Sequence, residues 1–386
     1  MQRISVSVLA YFADDPTRVY QLAQWLPVLE ILDQREPVAL VLRQEESAAI
    51  LRERTHLPIV VAPTFPELTD LYASLEDAAV VLYCNNSQLN FQSLLDHRKL
   101  HVHINHGESD KQSMASNNAK AYDRVLVAGE AAVQRYLGTL LEFDAAKLVR
   151  IGRPQLDLHP AAVLPETPGR RTVLYAPTWE GDADYNNYTS VDTLGPVVVS
   201  AALALPDVRV VYKPHPKVVT SQTPAVQHAH RVILDLLGDA AARDPEAGHR
   251  ALLSGDILAV MPSCDAIVTD VSSVGLDWLY LCTDKPMFVA DRHRDADRLR
   301  AEVPVSRCAD VLDVVDDCDV EHLALLLAAR LEHDEHHLAR VAMRHHYFDD
   351  LQVGDSTARF LETVGELVDL RHRLVGGRPV DAANTA

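Results

Sequence analysis

Asp265-Ala-Ile-Val-Thr-Asp270-Val-Ser-Ser273-Val-Gly-Leu-Asp277-Trp-Leu-Tyr280 passes from a short apolar strand pattern into an amphipathic helical one. The strand ends at Thr269-Asp270, and Ser272-Ser273 open a helix that continues past Asp277. A strand that turns directly into a helix is half of a βαβ unit, which implies a parallel sheet with right-handed crossovers. Serines at a helix start can cap it, and the unpaired N–H groups there, with the positive end of the helix dipole, suit an anion such as a pyrophosphate. The plain alternative makes Ser272 an N-cap and no more. Asp277 then either faces a nucleotide ribose or is simply solvated.

The same alternation extends outward on both sides. Strand patterns fall at Thr172–Ala176, Val208–Tyr212 and Pro286–Val289, with helical spacing between them. Toward the N-terminus they recur at Ile4–Tyr11, Val38–Leu42, Ile59–Ala62, Ala79–Cys84, Leu100–Asn105 and Arg124–Ala128. Val19, Leu22, Ala23, Leu26 and Leu29 predict one helix over Thr17–Leu32. Pro160–Arg171 holds three prolines and a glycine and reads as a linker. After Val320 the pattern is long helix, through Arg340 and again over Ser356–Leu374. The expected architecture is α/β and GT-B-like: two facing Rossmann-like domains with C-terminal helices. The first spans residues 1–158, the second residues 172–375 with those helices, and 376–386 is expected to be a disordered tail. In such sheets ligands sit beyond the carboxyl ends of the strands, so the chemistry is sought there.

Composition narrows the partners. With 386 residues, 48% hydrophobic and 24% charged, the chain is globular and long enough for two cores. A formal charge of −19 disfavours nucleic acid as the main partner and disfavours electrostatic docking on anionic lipid, a local basic patch aside. The five cysteines, Cys84, Cys264, Cys282, Cys308 and Cys318, show no CxxC spacing and read as reduced thiols of a cytoplasmic protein. No signal peptide or spanning segment is evident, so at most a peripheral contact with the inner membrane face is expected.

Three further segments end strand patterns with reactive side chains. In Val208-Arg-Val-Val-Tyr-Lys213-Pro-His215-Pro-Lys, two prolines hold the imidazole on a stiff turn, where it can donate to phosphate oxygens. In Leu100-His-Val-His-Ile-Asn-His106-Gly107-Glu108-Ser-Asp-Lys111, His106 lies past the strand end and is placed to act as a general base. Histidine offers a pKa near working pH without much perturbation. His101, His103 and His106 as a metal cluster is the rival reading, weakened because only the first two share a strand face. In Val173-Leu-Tyr-Ala-Pro-Thr178-Trp179-Glu180, the tryptophan is either a wall for a nucleotide base or core. The Glu332–His337 run, with His333 and His337 four apart, reads as a solvated helix face rather than a metal site.

Taken in order, these segments resemble the CDP-glycerol glycerophosphotransferase family. The matching residues are His106-Gly107 with Lys111, Tyr175–Trp179, His215-Pro216, Asp270 with Ser272, Ser273 and Asp277, and Lys285-Pro286. Tyr347-Phe348-Asp349 and Gly354–Arg359 look like the family's ending, so the resemblance spans residues 100 to 365. It implies transfer of a glycerol-phosphate unit from CDP-glycerol to a hydroxyl acceptor in teichoic-acid-type polymer synthesis, with release of CMP. By that resemblance His106 is the base on the acceptor hydroxyl, with Gly107, Glu108 and Lys111 on the acceptor side. His215, Ser272 and Ser273 hold the donor pyrophosphate, joined by Lys213, Thr178, Trp179, Asp270 and Asp277. The donor is a substrate, no cofactor or metal is expected, and the acceptor is a lipid-linked or polymeric hydroxyl. Asn105, Glu108, Val271 and Glu180 depart from the family pattern and leave the donor alcohol open. A glycosyltransferase using a nucleotide sugar, a sugar-nucleotide epimerase and a non-catalytic nucleotide-binding protein remain the alternatives.

Overall fold

Short β-branched runs set the strands. The computed structural model describes residues 6–111, 114–158, 160–181, 183–313 and 319–376. Contacts divide the chain into two units. The first contains the described residues of Met1–Gly107, Ala115–Leu158 and Tyr347–Ala386, and the second those of Glu108–Met114 and His159–His346.

In the first unit the strands are β1 (Val8–Phe12), β2 (Val38–Leu42), β3 (Ile59–Val61), β4 (Val80–Tyr83), β5 (Leu100–His103), β6 (Arg124–Val127) and β7 (Leu148–Arg150). They form one sheet in the order β3-β2-β1-β4-β5-β6-β7, and the pairings are parallel, with Val8 opposite both Val38 and Val80. Alternate residues of β1 feed different cores. Val8, Ala10 and Phe12 pack on one face with Leu26, Leu29 and Leu32, while Leu9 and Tyr11 pack on the other with Leu68, Tyr72 and Tyr136. Burial on both faces explains why these strands read as near-continuous apolar runs.

The helix expected over Thr17–Leu32 is instead broken into a 3-10 turn at Pro16–Arg18 and helices at Tyr20–Ala23 and Leu26–Asp33. Pro27 sits in the first turn of the last piece, where its missing N–H does no harm but an unbroken helix could not pass.

The second unit holds β8 (Arg171–Ala176), β9 (Val208–Tyr212), β10 (Arg250–Ala251), β11 (Ala266–Thr269), β12 (Met287–Ala290) and β13 (Asp310–Leu312). Their order, β10-β9-β8-β11-β12-β13, is the 3-2-1-4-5-6 order of a doubly wound sheet, which places a switch point between β8 and β11. The helices Gly195–Leu203, Pro224–Arg243 and Asp319–Glu332 cover one face through Val198, Ala229, Ile233, Leu323 and Leu327. The linker pattern over 160–171 is loop up to Arg171, which opens β8.

The end of the chain differs from the sequence reading. The sequence pattern assigns the C-terminal helices to residues 172–375, yet the described residues from Tyr347 onward belong to the first unit. The reason is the apolar stripe of the helix Asp355–Gly376, where Phe360, Leu361, Val364, Leu367 and Val368 join the core under β1 and β4. Trp25 lies 5.2 Å from Phe360, ring to ring. Gly152 makes room for this docking. At φ +75°, a Cβ there would lie 2.1 Å from Ser356 Oγ. Gly376 closes the helix, and the remainder of the expected tail lies outside the described residues. Cys84, Cys264, Cys282 and Cys308 are free and buried, and Cys318 is outside the described residues. Among the described residues no helix is long and apolar enough to cross a membrane.

Candidate functional site

The switch point of the second unit gathers most of the residues singled out above. Asp270, 1% exposed, follows β11, and its Oδ2 accepts the backbone N–H groups of Thr178 at 2.7 Å and Ser190 at 3.2 Å. The carboxyl therefore ties two segments of the β8 loop together rather than reaching outward. Burial raises its pKa to about 7, opposed by the hydrogen bonds and the Lys111 charge. Thr189 Oγ1 donates to Thr178 O at 2.8 Å, and the Ser190 and Tyr175 hydroxyls are 2.8 Å apart.

Ser272 holds the N-cap position of the helix Ser273–Leu281, but its side chain makes no capping hydrogen bond. Its Oγ is buried without a hydrogen-bond partner, which argues against the reading of Ser272 as a mere cap. The N–H groups of that first turn, with this hydroxyl, form the anion-ready end of the unit. Asp277 is 5% exposed and lies inside the same helix, so it is not the solvated residue of the plain reading.

His215 is fixed from both sides. Its N–H donates to Pro177 O at 2.9 Å, and its Nδ1 accepts the Lys217 N–H at 3.2 Å. An accepting Nδ1 leaves the proton on Nε2 in the neutral ring, the form that donates to a phosphate oxygen. Trp179 stacks on His215 at 6.1 Å and carries the Lys217 ammonium 3.6 Å from its ring centroid. Its rings are thus engaged by its own neighbours rather than offered as a bare wall to a base. Lys213 is 5% exposed, and burial lowers its pKa. Glu180, where the family pattern carries a cation, accepts from Ser221 and Thr223 hydroxyls and so closes the loop onto the segment after His215. Lys285 donates to Cys264 O at 2.6 Å, at the amino end of β12 and away from these residues.

The family resemblance puts Lys111 with Gly107 and Glu108 on the acceptor side. The structure places Gly107 in the first unit but Glu108 and Lys111 in the second. Lys111 Nζ lies 3.4 Å from Thr178 Oγ1 and 5.7 Å from the Tyr188 ring centroid. Burial lowers its pKa to about 8, countered by Asp270.

In the first unit, His106 follows β5. Asn105 adopts φ +53°, accepts the His106 N–H on its Oδ1 at 2.9 Å, and accepts Trp25 Nε1–H on its carbonyl at 2.5 Å. His106 Nδ1 is buried without a hydrogen-bond partner. Burial first, then the Arg153 charge, push its pKa down to about 4, against a hydrogen bond with the Cys84 backbone. The near-neutral pKa expected from sequence is therefore corrected. The ring is neutral at pH 7, ready to accept a proton but a weak base. The metal reading of the histidines fails on chemistry, because both His101 ring nitrogens are hydrogen-bonded, to Tyr83 OH and Asp96 O, each at 2.7 Å. Among the described residues, Asp310, Glu335 and His336 have metal-ligand geometry. The Arg330 guanidinium already occupies it, bonded to Asp310 at 2.8 and 3.0 Å and paired with Glu335.

Sequence reasoning missed Ser190, Tyr188 and Arg153. Ser190 and Tyr188 lie in a polar loop without a motif. Arg153 did carry a signal, a cation directly after the apolar strand end Ile151-Gly152.

Two doubly wound units, one with an anion-ready helix start and a rigid histidine beside its switch point, make this a GT-B-type protein. The chain belongs to the CDP-glycerol:poly(glycerophosphate) glycerophosphotransferase family, whose signature matches residues 95–364. It is thus a transferase of glycerol-phosphate chemistry, as the resemblance implied. No curated protein matches it by sequence. Among solved structures it is similar to the wall teichoic acid polymerase TagF, with TM-score 0.56 and 12% identity over 94% of this chain and 89% of that one. It is also similar to a putative UDP-N-acetylglucosamine 2-epimerase from Listeria monocytogenes, with TM-score 0.57 and 13% identity over 93% and 95%. A UDP-GlcNAc 2-epimerase from Neisseria meningitidis matches with TM-score 0.55 and 14% identity over 93% and 100%. At such identities these likenesses concern the fold.

Proposed function

We propose that this chain moves glycerol phosphate, or a related polyol phosphate, from a CDP-polyol to the hydroxyl of a lipid-linked or polymeric acceptor in teichoic-acid-type polymer synthesis. The observation that carries the donor side is the buried, uncapped Ser272 hydroxyl at a free helix start, in one unit with the Nε2–H tautomer of His215. The acceptor oxygen forms a bond to the phosphorus that bears the polyol, and the bond from that phosphorus to the bridging oxygen breaks. CMP leaves with the bridging oxygen, and the hydroxyl proton passes to His106. Ser272, Ser273, His215 and Lys213 hold the diphosphate and offset the charge that grows on the leaving group. Asp270 and Thr178 shape the loop that meets it.

The TagF likeness, including a variant soaked with CDPG, supports a CDP-polyol donor and a wall-polymer role. A lipid-linked acceptor would bring the enzyme to the inner membrane face as a peripheral protein, with no spanning helix of its own among the described residues. No metal cofactor is invoked, so activity is expected to survive EDTA, and a strict Mg²⁺ requirement would count against this reading.

The test is a thermal-shift screen of CDP-glycerol, CDP-ribitol, CMP, UDP-sugars and GDP-sugars, followed by an assay for CMP release. A ligand at a hundred times its dissociation constant adds about 2.7 kcal/mol. Selective stabilisation by a CDP-polyol supports the proposal. Stabilisation by a UDP- or GDP-sugar alone refutes it in favour of a glycosyltransferase or epimerase.

A further inference from the structure

The first unit holds a groove of about 580 Å³, lined by one face of the helix Phe65–Ser74, by residues of the segment 92–99, and by Arg371 and Val375 near the end of the helix Asp355–Gly376. That volume is in the range of small-ligand sites, about 300–1,000 Å³. Most of the wall is apolar. Phe65, Leu68, Tyr72 and Ala73 recur at helical spacing, and Leu95 adds to them. Phe65, Leu95 and Val375 are 42, 66 and 41% exposed, so the apolar lining continues out to the rim. Polar groups along this wall are already engaged. Thr69 Oγ1 donates to Phe65 O at 3.0 Å, the Tyr72 and Ser93 hydroxyls are 2.6 Å apart, and Lys99 Nζ donates to Leu75 O at 3.0 Å beside Asp96. An extended peptide needs partners for its own N–H and C=O groups, and this wall offers few. A hydrocarbon chain needs none.

One end of the groove is charged. Arg371 draws it together, donating from Nε to Arg98 O at 3.0 Å and from Nη2 to Glu76 O at 2.6 Å. The Arg98 guanidinium and the carboxylates of Glu76 and Asp77 nevertheless have no hydrogen bond or ion pair among the described residues. Charge of both signs thus stands side by side and unpaired, which is the complement of a zwitterion. Glu76 and Asp77 precede β4 and Arg98 precedes β5, whereas His106 follows β5. The charged end therefore lies at the amino end of the sheet, away from the transfer chemistry.

We propose that this groove takes a bilayer phospholipid with a phosphoethanolamine headgroup and so anchors the enzyme to the membrane. An acyl chain lies along the helix Phe65–Ser74, the guanidinium groups of Arg98 and Arg371 meet the phosphate, and Glu76 and Asp77 accept from the ammonium. A quaternary ammonium has no N–H to donate and fits those carboxylates less well. A purely anionic headgroup meets the same carboxylates, on a chain of formal charge −19, without compensation. The anchor holds whichever donor the enzyme uses.

The test floats the full-length protein with three kinds of vesicle: phosphatidylcholine alone, phosphatidylcholine with phosphatidylethanolamine, and phosphatidylcholine with phosphatidylglycerol. The wild type is expected to partition onto the ethanolamine vesicles at least tenfold more strongly than onto the other two, equivalent to about 1.4 kcal/mol. Ala73→Trp fills the groove without changing its charge, and Arg98→Gln removes one cation; each is expected to abolish the preference. Equal or stronger binding to the phosphatidylglycerol vesicles overturns the proposal, as does a preference that survives Ala73→Trp. A second readout needs no variant. Lysophosphatidylethanolamine below its micelle concentration is expected to shift the methyl NMR signals of Leu68, Leu95 and Val375 in the wild type. Unshifted signals overturn the site, even should Ala73→Trp fail to fold. Neither readout involves transfer, so a failure of the CDP-polyol reading leaves both results standing.

Discussion

An Asp270→Asn substitution exchanges one oxygen for an amide nitrogen at the end of β11 and preserves the shape that holds Thr178 and Ser190. Burial keeps the folded carboxyl protonated until about pH 7, against an ordinary value of 3.8. In the unfolded chain it ionises as pH passes 3.8, so between those values a rising pH favours unfolding. The stabilising contribution is complete below pH 3.8, declines by about 1.4 kcal/mol per pH unit and is gone above 7. Asparagine does not titrate. The stability difference between variant and wild type should therefore move by about 3 kcal/mol in favour of the variant from pH 5 to pH 7. Amide exchange in β8 and β11 measures this locally, without assuming that the two units unfold together. A difference that stays constant within about 0.5 kcal/mol, an ordinary surface-mutation scale, refutes the argument that this carboxyl is buried protonated. Asp270→Ala provides the contrast. It strands the two N–H groups of Thr178 and Ser190, at about 1–3 kcal/mol each, and should destabilise at every pH.

Gly152→Ala should weaken the first unit by about 1–3 kcal/mol through the clash with Ser356 Oγ, and Ser356→Ala should return part of it; an unshifted melting temperature refutes the docking described. His106→Gln should lower kcat by about 10²–10⁴-fold with unchanged CDP-glycerol affinity. Because His106 must be unprotonated and its pKa is about 4, the acid limb of wild-type kcat/KM with a neutral acceptor should lie near there. A limb near pH 6.5 would contradict the burial argument. His215→Ala should loosen CDP-glycerol binding about 10–100-fold, the worth of a hydrogen bond to a charged group, and equal affinity would remove it from the donor site.

The central strands were legible because both of their faces are buried. β2, β9 and β11 occupy the residues the apolar runs marked. β7, β10 and β13 were not, since they are edge strands of only two or three residues, such as the partly exposed Arg250-Ala251, too short to show an apolar run. Motif spacing located Thr178, His215 and Ser272, which the fold gathers in one unit. It could not show that Asp270 turns inward, because that depends on Ser190, distant in sequence and paired only through the loop. The weakness of His106 as a base was equally invisible. Burial and an arginine 47 positions later set it, and neither is encoded in the local motif.

The return of the chain end to the first unit has a consequence for synthesis on the ribosome. Residues 159–346, most of the second unit, emerge as one continuous stretch and can complete their sheet as soon as they are out. The first unit starts earlier yet finishes last, because Phe360, Leu361, Val364 and Leu367 are the final pieces of its interior. Until they arrive, Trp25, Leu29 and their neighbours lack that cover, and the nascent chain carries an apolar surface while the whole second unit is being made. Premature termination near residue 350 would thus cripple the first unit, although most of its residues had been made before the second.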